Sequence, residues 1–286
     1  VPPCFDLQKL RRDLKPFRLH WFPRLRSTND HAAVLRKRGD LFAPAIVLTG
    51  HQLAGRGRGS NTWWSGAGSL TVTFVLAADE HLAPHHVPLI AGLAVRAAAA
   101  EMSLNDDIQL KWPNDLLFGG RKLAGLLCER VHKADLIGVG LNVNVTSNDM
   151  PKTLRDRVTS LWQAKIENQR LRIEDRGSKT KSRSSILDPR SSTLCSQAPI
   201  DMTTALITIA RNLHRMLAHR DDQSFAATLR EYDQHHALIG KRVTVTGSPG
   251  EPPITGKCEG LDDTGRLLLR ERRTLHRVIA GHVQMV

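Results

Sequence analysis

The chain has 286 residues, room for two domains or one large domain with an appendage, and enough to bury a core without disulfides or metals. With 41% hydrophobic and 24% charged residues its composition is that of an ordinary globular protein, which excludes wholesale disorder. A net charge of +13 suits acidic partners, and no apolar run approaches the ~20 residues that span a bilayer, which excludes an integral membrane protein.

Ten Lys/Arg against three Asp/Glu crowd residues 1–38. There Leu7, Leu10, Leu14 and Phe17 recur at helical spacing. An Arg-rich mitochondrial presequence looks similar, but Asp6, Asp13 and three early prolines favour a surface helix of a cytoplasmic protein. Ser27-Thr28-Asn29-Asp30 then opens an apolar-periodic run with a capping box formed by Ser27 and Asp30. Ala45–Leu48 reads as a short buried strand. A glycine-rich stretch from His51 to Gly68 separates it from a β-branched strand, Leu70–Leu76. Alanine density over Pro88–Met102 predicts a buried helix. Ile108–Lys111 is a strand stopped by Pro113, and Asp115–Phe118 and Lys122–Glu129 flank Gly119-Gly120 as a hairpin. Leu136–Val145 is a further strand, alternating with glycine. Residues 167–199 are polar and Ser/Arg-rich without a sustained period, as a flexible insertion is. Helical spacing returns over Leu206–Leu217 and Phe225–Tyr232. From Leu238 onward short strands (Arg242–Thr246, Gly256–Leu261, Arg266–Arg270, Leu275–Ile279) predict a small barrel.

Four cysteines (Cys4, Cys128, Cys195, Cys258) form no CxxC pair, so neither a zinc ribbon nor a disulfide scaffold is supported and a reducing compartment is expected. The pairs His85-His86 and His235-His236 lack metal-ligand spacing. Gly250–Cys258 imitates a phosphate-binding P-loop, but its glycines are one residue too far apart and cysteine replaces the Ser/Thr. No GxSxG marks an esterase nucleophile.

Four stretches carry chemistry. In Gly55-Arg56-Gly57-Arg58-Gly59-Ser60-Asn61-Thr62-Trp63 the glycines allow close backbone approach to an anion. Arg56 and Arg58 offer charge-assisted bonds there, and Trp63 offers a flat face for a purine. The other reading of this run is a flexible Arg-Gly segment that touches RNA. In Lys111-Trp112-Pro113-Asn114-Asp115 the proline breaks strand pairing. Lys111, Asn114 and Asp115 then turn either towards a cleft that binds phosphate and Mg²⁺, or into an ordinary surface turn. Arg121-Lys122-Leu123-Ala124-Gly125 brings two cations into an apolar strand. Gly138–Asn144 places Asn142 and Asn144 on one face between glycines.

These stretches, in this order, resemble the catalytic domain of biotin protein ligases over about Leu19–Val145, and the C-terminal strands resemble that family's SH3-like domain. The resemblance implies an α+β fold. A mixed β-sheet with flanking helices, similar to class II aminoacyl-tRNA synthetases, would occupy residues 1–236, with 167–199 as an insertion. A small C-terminal SH3-like β-barrel would occupy residues 237–286. It implies a biotin–[biotin carboxyl-carrier protein] ligase that uses MgATP to form biotinyl-5′-AMP and passes biotin to a lysine of an acceptor. That acceptor would be the biotin carboxyl carrier domain of a biotin-dependent carboxylase.

Carried over residue by residue, the resemblance places Ser27, Thr28, Gln52, Gly55, Arg56, Arg58, Lys122 and Gly125 at biotin, the Thr28 hydroxyl being the one left free for it. Arg56, Gly57, Trp63, Lys111, Asn114, Asp115 and Asn142 fall at ATP. Lys122, Lys111 and Arg58 become the catalytic cations, and Asp115 the Mg²⁺ ligand. The family's loop often reads GRGRRGR, whereas here Gly59-Ser60-Asn61-Thr62 omits the later basic residues. Only about 26 residues precede Ser27, too few for a winged-helix domain, so a monofunctional ligase without specific DNA binding is expected. The resemblance leaves a homodimer open. The competing readings are a lipoate–protein ligase or octanoyltransferase, for which Cys128 is the candidate thiol, and a nucleic-acid-binding protein.

Overall fold

The computed structural model describes residues 5–178, 198–218, 225–247 and 250–286. Helix α1 (Leu7–Asp13) starts on Asp6, whose carboxylate accepts from the N–H groups of Gln8 and Lys9. Leu10, Leu14 and Phe17 are buried, so their spacing seats this segment on the core. Strand β1 (Arg18–Leu25) leads into α2 (Thr28–Arg38) and β2 (Ala45–Gln52). Two short strands, β3 (Gly55–Arg56) and β4 (Thr62–Trp63), form a hairpin, followed by β5 (Ser69–Ala77) and α3 (Val87–Ser103). Then come β6 (Gln109–Lys111), β7 (Asp115–Phe118), β8 (Arg121–Val131) and β9 (Ala134–Asn142). Helices α4 (Leu161–Ser178), α5 (Met202–Ala218) and α6 (Phe225–Gln234) precede strands β10 (Arg242–Thr246), β11 (Ile254–Leu261), β12 (Leu267–Glu271), β13 (Thr274–Val278) and β14 (His282–Met285).

Seven strands make one mixed sheet in the order β1-β2-β5-β9-β8-β7-β6, with β1 and β2 parallel and every other pair antiparallel. Its two faces are unequal. On one, the alanines of α3 let that helix lie close to the sheet, where Leu89, Ile90, Leu93 and Ala94 join Val72, Phe74, Ile137 and Val139 in the main core. Leu206, Ile209 and Leu213 of α5 pack beside α3 in the same core. The other face carries a small cluster in which Ala32 of α2 meets Val47, Val75 and Leu136. That thinly covered face is where polar side chains collect.

The C-terminal strands form a five-stranded antiparallel sheet, β13-β12-β11-β10-β14, with β13 and β14 at its edges. Its β11–β12 turn is fastened to the larger sheet. The Trp112 indole N–H donates to the Gly265 carbonyl at 3.3 Å, and the Nε2 atoms of His85 and His86 lie 3.1 and 3.0 Å from the Thr264 carbonyl oxygen. The Leu261 N–H also donates to Asp233, in the last turn of α6.

One expectation needs correction, and two features went unread. The segment 167–199 does not begin as an irregular insertion, because α4 continues through Ser178; residues 179–197 lie outside the described residues. Only Leu161 and Ala164 anchor the helix start in the core, and Gln, Lys, Glu and Arg carry its continuation by propensity, so no apolar stripe announced it. Strands β1 and β14 were not read from the sequence: both are edge strands of mostly partial or full exposure, without the buried run that marks an inner strand. The turn between β8 and β9 is His132-Lys133, both with positive φ (46° and 59°), which no Gly or Asn signalled.

Candidate active site

The floor of the site is built by register. Thr71 of β5 stands opposite Gly140 of β9, which stands opposite Gly125 of β8; in the next row Thr73, Gly138 and Leu127 line up in the same way. The glycines open space above the sheet, and two side chains fill it. A Cβ on Gly140 would lie 2.4 Å from Cε2 of Trp63, and one on Gly138 would lie 2.3 Å from Oδ1 of Asn29. Trp63 therefore lies against the floor, its indole N–H buried without a partner among the described residues. A buried donor left unpaired costs free energy, and one that faces a cavity invites a ligand acceptor.

Ser27 caps α2, its hydroxyl accepting from the Asp30 N–H at 3.3 Å. The expected reciprocal bond from Asp30 gives way to an ion pair with Arg56 at 2.6 Å. The Thr28 hydroxyl, expected to be left for a ligand, lies 2.9 Å from the Thr73 hydroxyl and donates to Gln52 Oε1, which also accepts the Thr28 N–H. Asn29 was not singled out by sequence, yet it ties the site together. Its amide donates to the Leu127 carbonyl and to Glu129, and its Oδ1 accepts from Thr73 at 2.6 Å. Its one signal was Thr71 and Thr73, polar residues at alternate positions of an otherwise apolar strand.

The glycine–arginine run is the β3–β4 hairpin. Gly57 donates to the Asn61 carbonyl, Asn61 donates to the Arg58 carbonyl, and Gly59 sits at φ +60°. Glycine tolerates that left-handed geometry. Gly59 and Asn61, which stand where the related pattern is basic, thus shape the turn. Arg56 reaches back between Glu129 (3.0 Å) and Asp30 (2.6 Å); burial lowers its pKa most strongly as a single influence, but the two carboxylates together raise it. Arg58 is half-buried and differs: burial pulls its pKa down, with only the more distant charge of Asp115 opposing.

Lys111, Lys122 and Asp115 converge where β6, β7 and β8 meet. Lys122 Nζ lies 2.7 Å from Asp115 Oδ1 and 5.9 Å from the centroid of the Trp63 ring. The pKa of Lys111 is pulled down by burial, with Asp115 raising it and Lys122 lowering it. Asn114 turns away from this group: its amide donates to the Leu126 carbonyl where the β7–β8 ladder ends. Asn142 is buried off the cavity, within 3.4 Å of the Ser69 hydroxyl, and Gly55 likewise lies off the lining, packed against Trp63 and Gln52. The other expected residues, Ser27, Thr28, Gln52, Arg56, Gly57, Arg58, Trp63, Lys111, Asn114, Asp115, Lys122 and Gly125, line one cavity of about 1180 Å³.

Sequence reasoning missed a whole wall of that cavity. Thr246, Gly247 and residues 279–283 of the C-terminal sheet face the hairpin, and Arg58 points Nη1 at the Gly281 carbonyl at 3.5 Å. Nothing in a short strand-and-turn pattern tells that its loops will meet a distant site. Among the described residues no group of three or more His, Cys, Asp or Glu is placed to hold a metal. Asp115 offers a single carboxylate, the set a magnesium ion uses when it arrives already bound to phosphates. Among the described residues no helix is long and apolar enough to cross a membrane.

The site is thus a glycine-floored, cation-lined cavity on a mixed sheet, walled by a small antiparallel sheet. Residues 21–145 match the biotin/lipoate A/B protein ligase family, and residues 238–286 match the biotin protein ligase C terminal domain. The chain thus carries both the catalytic-type domain and the C-terminal domain found in biotin protein ligases. The biotin--[acetyl-CoA-carboxylase] ligase of Mycobacterium tuberculosis is 29% identical over 85% of this chain and 79% of its own. The bifunctional ligase/repressor BirA of Bacillus spizizenii is 38% identical, but the match spans 43% of this chain and only 39% of that protein. Among solved structures, the biotin protein ligase of Aquifex aeolicus in complex with biotin and ATP has the same fold, with TM-score 0.72 and 24% identity over 94% of this chain and 98% of that one.

Proposed function

We propose that this protein activates biotin with MgATP as biotinyl-5′-AMP and transfers it to one lysine of a biotin carboxyl carrier domain. The observation that supports it best is the cluster of Lys111, Lys122 and Arg58 around one carboxylate, Asp115, in a single cavity of about 1180 Å³. Joining a carboxylate to a polyphosphate brings like charges together. Fixed cations at that point stabilise the transition state more than the separated substrates.

In the first step a biotin carboxylate oxygen attacks the α-phosphorus, and the bond to the β-phosphate oxygen breaks. Lys122, close to both Asp115 and the Trp63 face, is placed to follow the charge from carboxylate to phosphate. Trp63 supplies the stacking surface, and a magnesium ion held with ATP by Asp115 would spread phosphate charge. In the second step a neutral lysine amine of the acceptor attacks the mixed anhydride and AMP leaves. The β3–β4 hairpin and the C-terminal wall keep water from the anhydride meanwhile. Residues 1–236 would form the catalytic part and 237–286 the small domain that supplies the wall.

An octanoyltransferase needs a reactive thiol, and Cys128 does not offer one: burial, with Asp135 and Glu129 nearby, pushes its pKa far up. A lipoate ligase differs only in the acid it selects. Incubation of a carrier domain with the protein, MgATP and either biotin or lipoate tests the reading by mass spectrometry. An ATP-dependent biotin increment on one lysine supports it. A lipoyl increment keeps the chemistry and replaces the acid, and no increment with a working control ligase beside it overturns the assignment.

A further inference from the structure

Two of the cavity's cations are held in ion pairs, and two more are half-buried within the field of a carboxylate. Arg56 is held between Asp30 and Glu129, Lys122 is paired with Asp115, and Lys111 and Arg58 are half-buried within the field of that same Asp115. Arg157 is the exception. It lines the same cavity, is exposed, and its guanidinium has no hydrogen-bond or ion-pair partner among the described residues. Sequence reading did not single it out, because it lies in an irregular segment after the single 3₁₀ turn Lys152–Leu154.

Its backbone is nevertheless fixed to the reaction centre. The Lys122 N–H donates to the Arg157 carbonyl at 2.7 Å, and the Thr159 N–H donates to the Lys122 carbonyl at 3.0 Å, so Arg157–Thr159 run as a short parallel ladder beside Lys122. The Arg157 N–H is itself bonded to the Leu154 carbonyl at 3.0 Å. A backbone tied on both sides with a side chain left free is the arrangement of a residue held ready for a ligand.

We infer that Arg157 binds the β- and γ-phosphates of ATP and, after the first step, the departing pyrophosphate. The inference rests on the adenylating function proposed above. When the carboxylate oxygen bonds to the α-phosphorus, the electron pair of the breaking bond goes to the bridging oxygen, which leaves as part of pyrophosphate. No proton is needed, but negative charge builds on the leaving group. A planar, permanently charged guanidinium spans two phosphate oxygens at once. The hairpin tip, Gly59-Ser60-Asn61-Thr62, carries no cation that could take this task. Arg157 supplies it from the segment laddered beside Lys122.

The test is biotin-dependent exchange of labelled pyrophosphate into ATP, with transfer from preformed biotinyl-5′-AMP to a carrier domain measured in parallel. Arg157→Gln is expected to raise KM for both pyrophosphate and MgATP roughly tenfold, the equivalent of one charge-assisted bond. Biotin affinity and transfer from preformed adenylate are expected to stay unchanged, which also shows that the variant is folded. Arg157→Lys is expected to recover part of the loss. An unchanged pyrophosphate KM overturns the inference, as does a variant defective only in transfer from preformed adenylate, which would make Arg157 a contact for the carrier. If the unsubstituted protein catalyses neither exchange nor transfer, the proposed function fails and this inference falls with it.

Discussion

Lys122 and Asp115 meet across Gly125: Nζ and Oδ1 are 2.7 Å apart, and a Cβ on Gly125 would lie 3.1 Å from Nζ. The pair stands between the floor glycines and Lys111, so the ammonium is already aimed before any substrate arrives. Such preorganisation is what makes a fixed charge effective, since none of its orientation has to be supplied during the reaction.

Replacing Lys122 by Ala is therefore expected to slow adenylate formation by ~10²–10³, with the melting temperature little changed because the pair is partly exposed. Single-turnover formation of biotinyl-5′-AMP measures it. A normal rate in that variant would move the role to Lys111 or Arg58.

Gly140 lies under the Trp63 ring. Gly140→Ala is expected to lift the indole from the sheet, to weaken biotin and ATP binding, and to cost about 1–3 kcal/mol of stability through overpacking. Calorimetric titration beside thermal melting reads both, and unchanged affinity for both ligands would mean that the floor does not form the ligand surface.

Arg56 and Glu129 are expected to act as one unit that fixes the hairpin. Exposed pairs of this kind add little to stability, so the readout is retention of the adenylate in the absence of a carrier. Arg56→Met and Glu129→Gln should each speed its loss, and the double variant should lose no more than either alone. Strict additivity would show that the two residues work separately.

Burial lowers the pKa of Lys111, so its ammonium loses its proton at a lower pH than a solvated lysine does. Between that lowered pKa and the unfolded value of ~10.4, the unfolded chain binds more protons, so this group adds stability as pH rises while the charge proposed to bind phosphate disappears. The alkaline limb of the exchange rate is expected below the usual lysine range, and Lys111→Arg should move it upward. An unmoved limb assigns it to another group.

The inner strands and the helices with a sustained apolar period were legible: Leu70–Leu76 and Pro88–Met102 appear as β5 and α3 with ends displaced by a residue. The edges were not, because Arg18–Leu25 exposes too much surface to carry a buried pattern. In the site, the run of glycine and arginine and the two lysines could be read from residue type and spacing. What could not be read is partnership. Asn29 shares one network with Thr73 and Glu129 only after three strands and a helix have packed, and Arg157 stands beside Lys122 only through a backbone ladder. Thr28 and Asn142 illustrate the converse: residue types that suit a ligand, already engaged with the protein's own polar groups.

The cavity draws its floor from residues 27–140 and its far wall from residues 246–283, and the turn that fixes the wall is pinned by Trp112, His85 and His86. During synthesis the floor therefore leaves the ribosome well before the wall exists. A nascent chain at that stage displays a wide, cationic trough that can bind anions but cannot shelter a water-sensitive anhydride. Under the proposed function, competence for adenylation waits until the second sheet has closed the cavity.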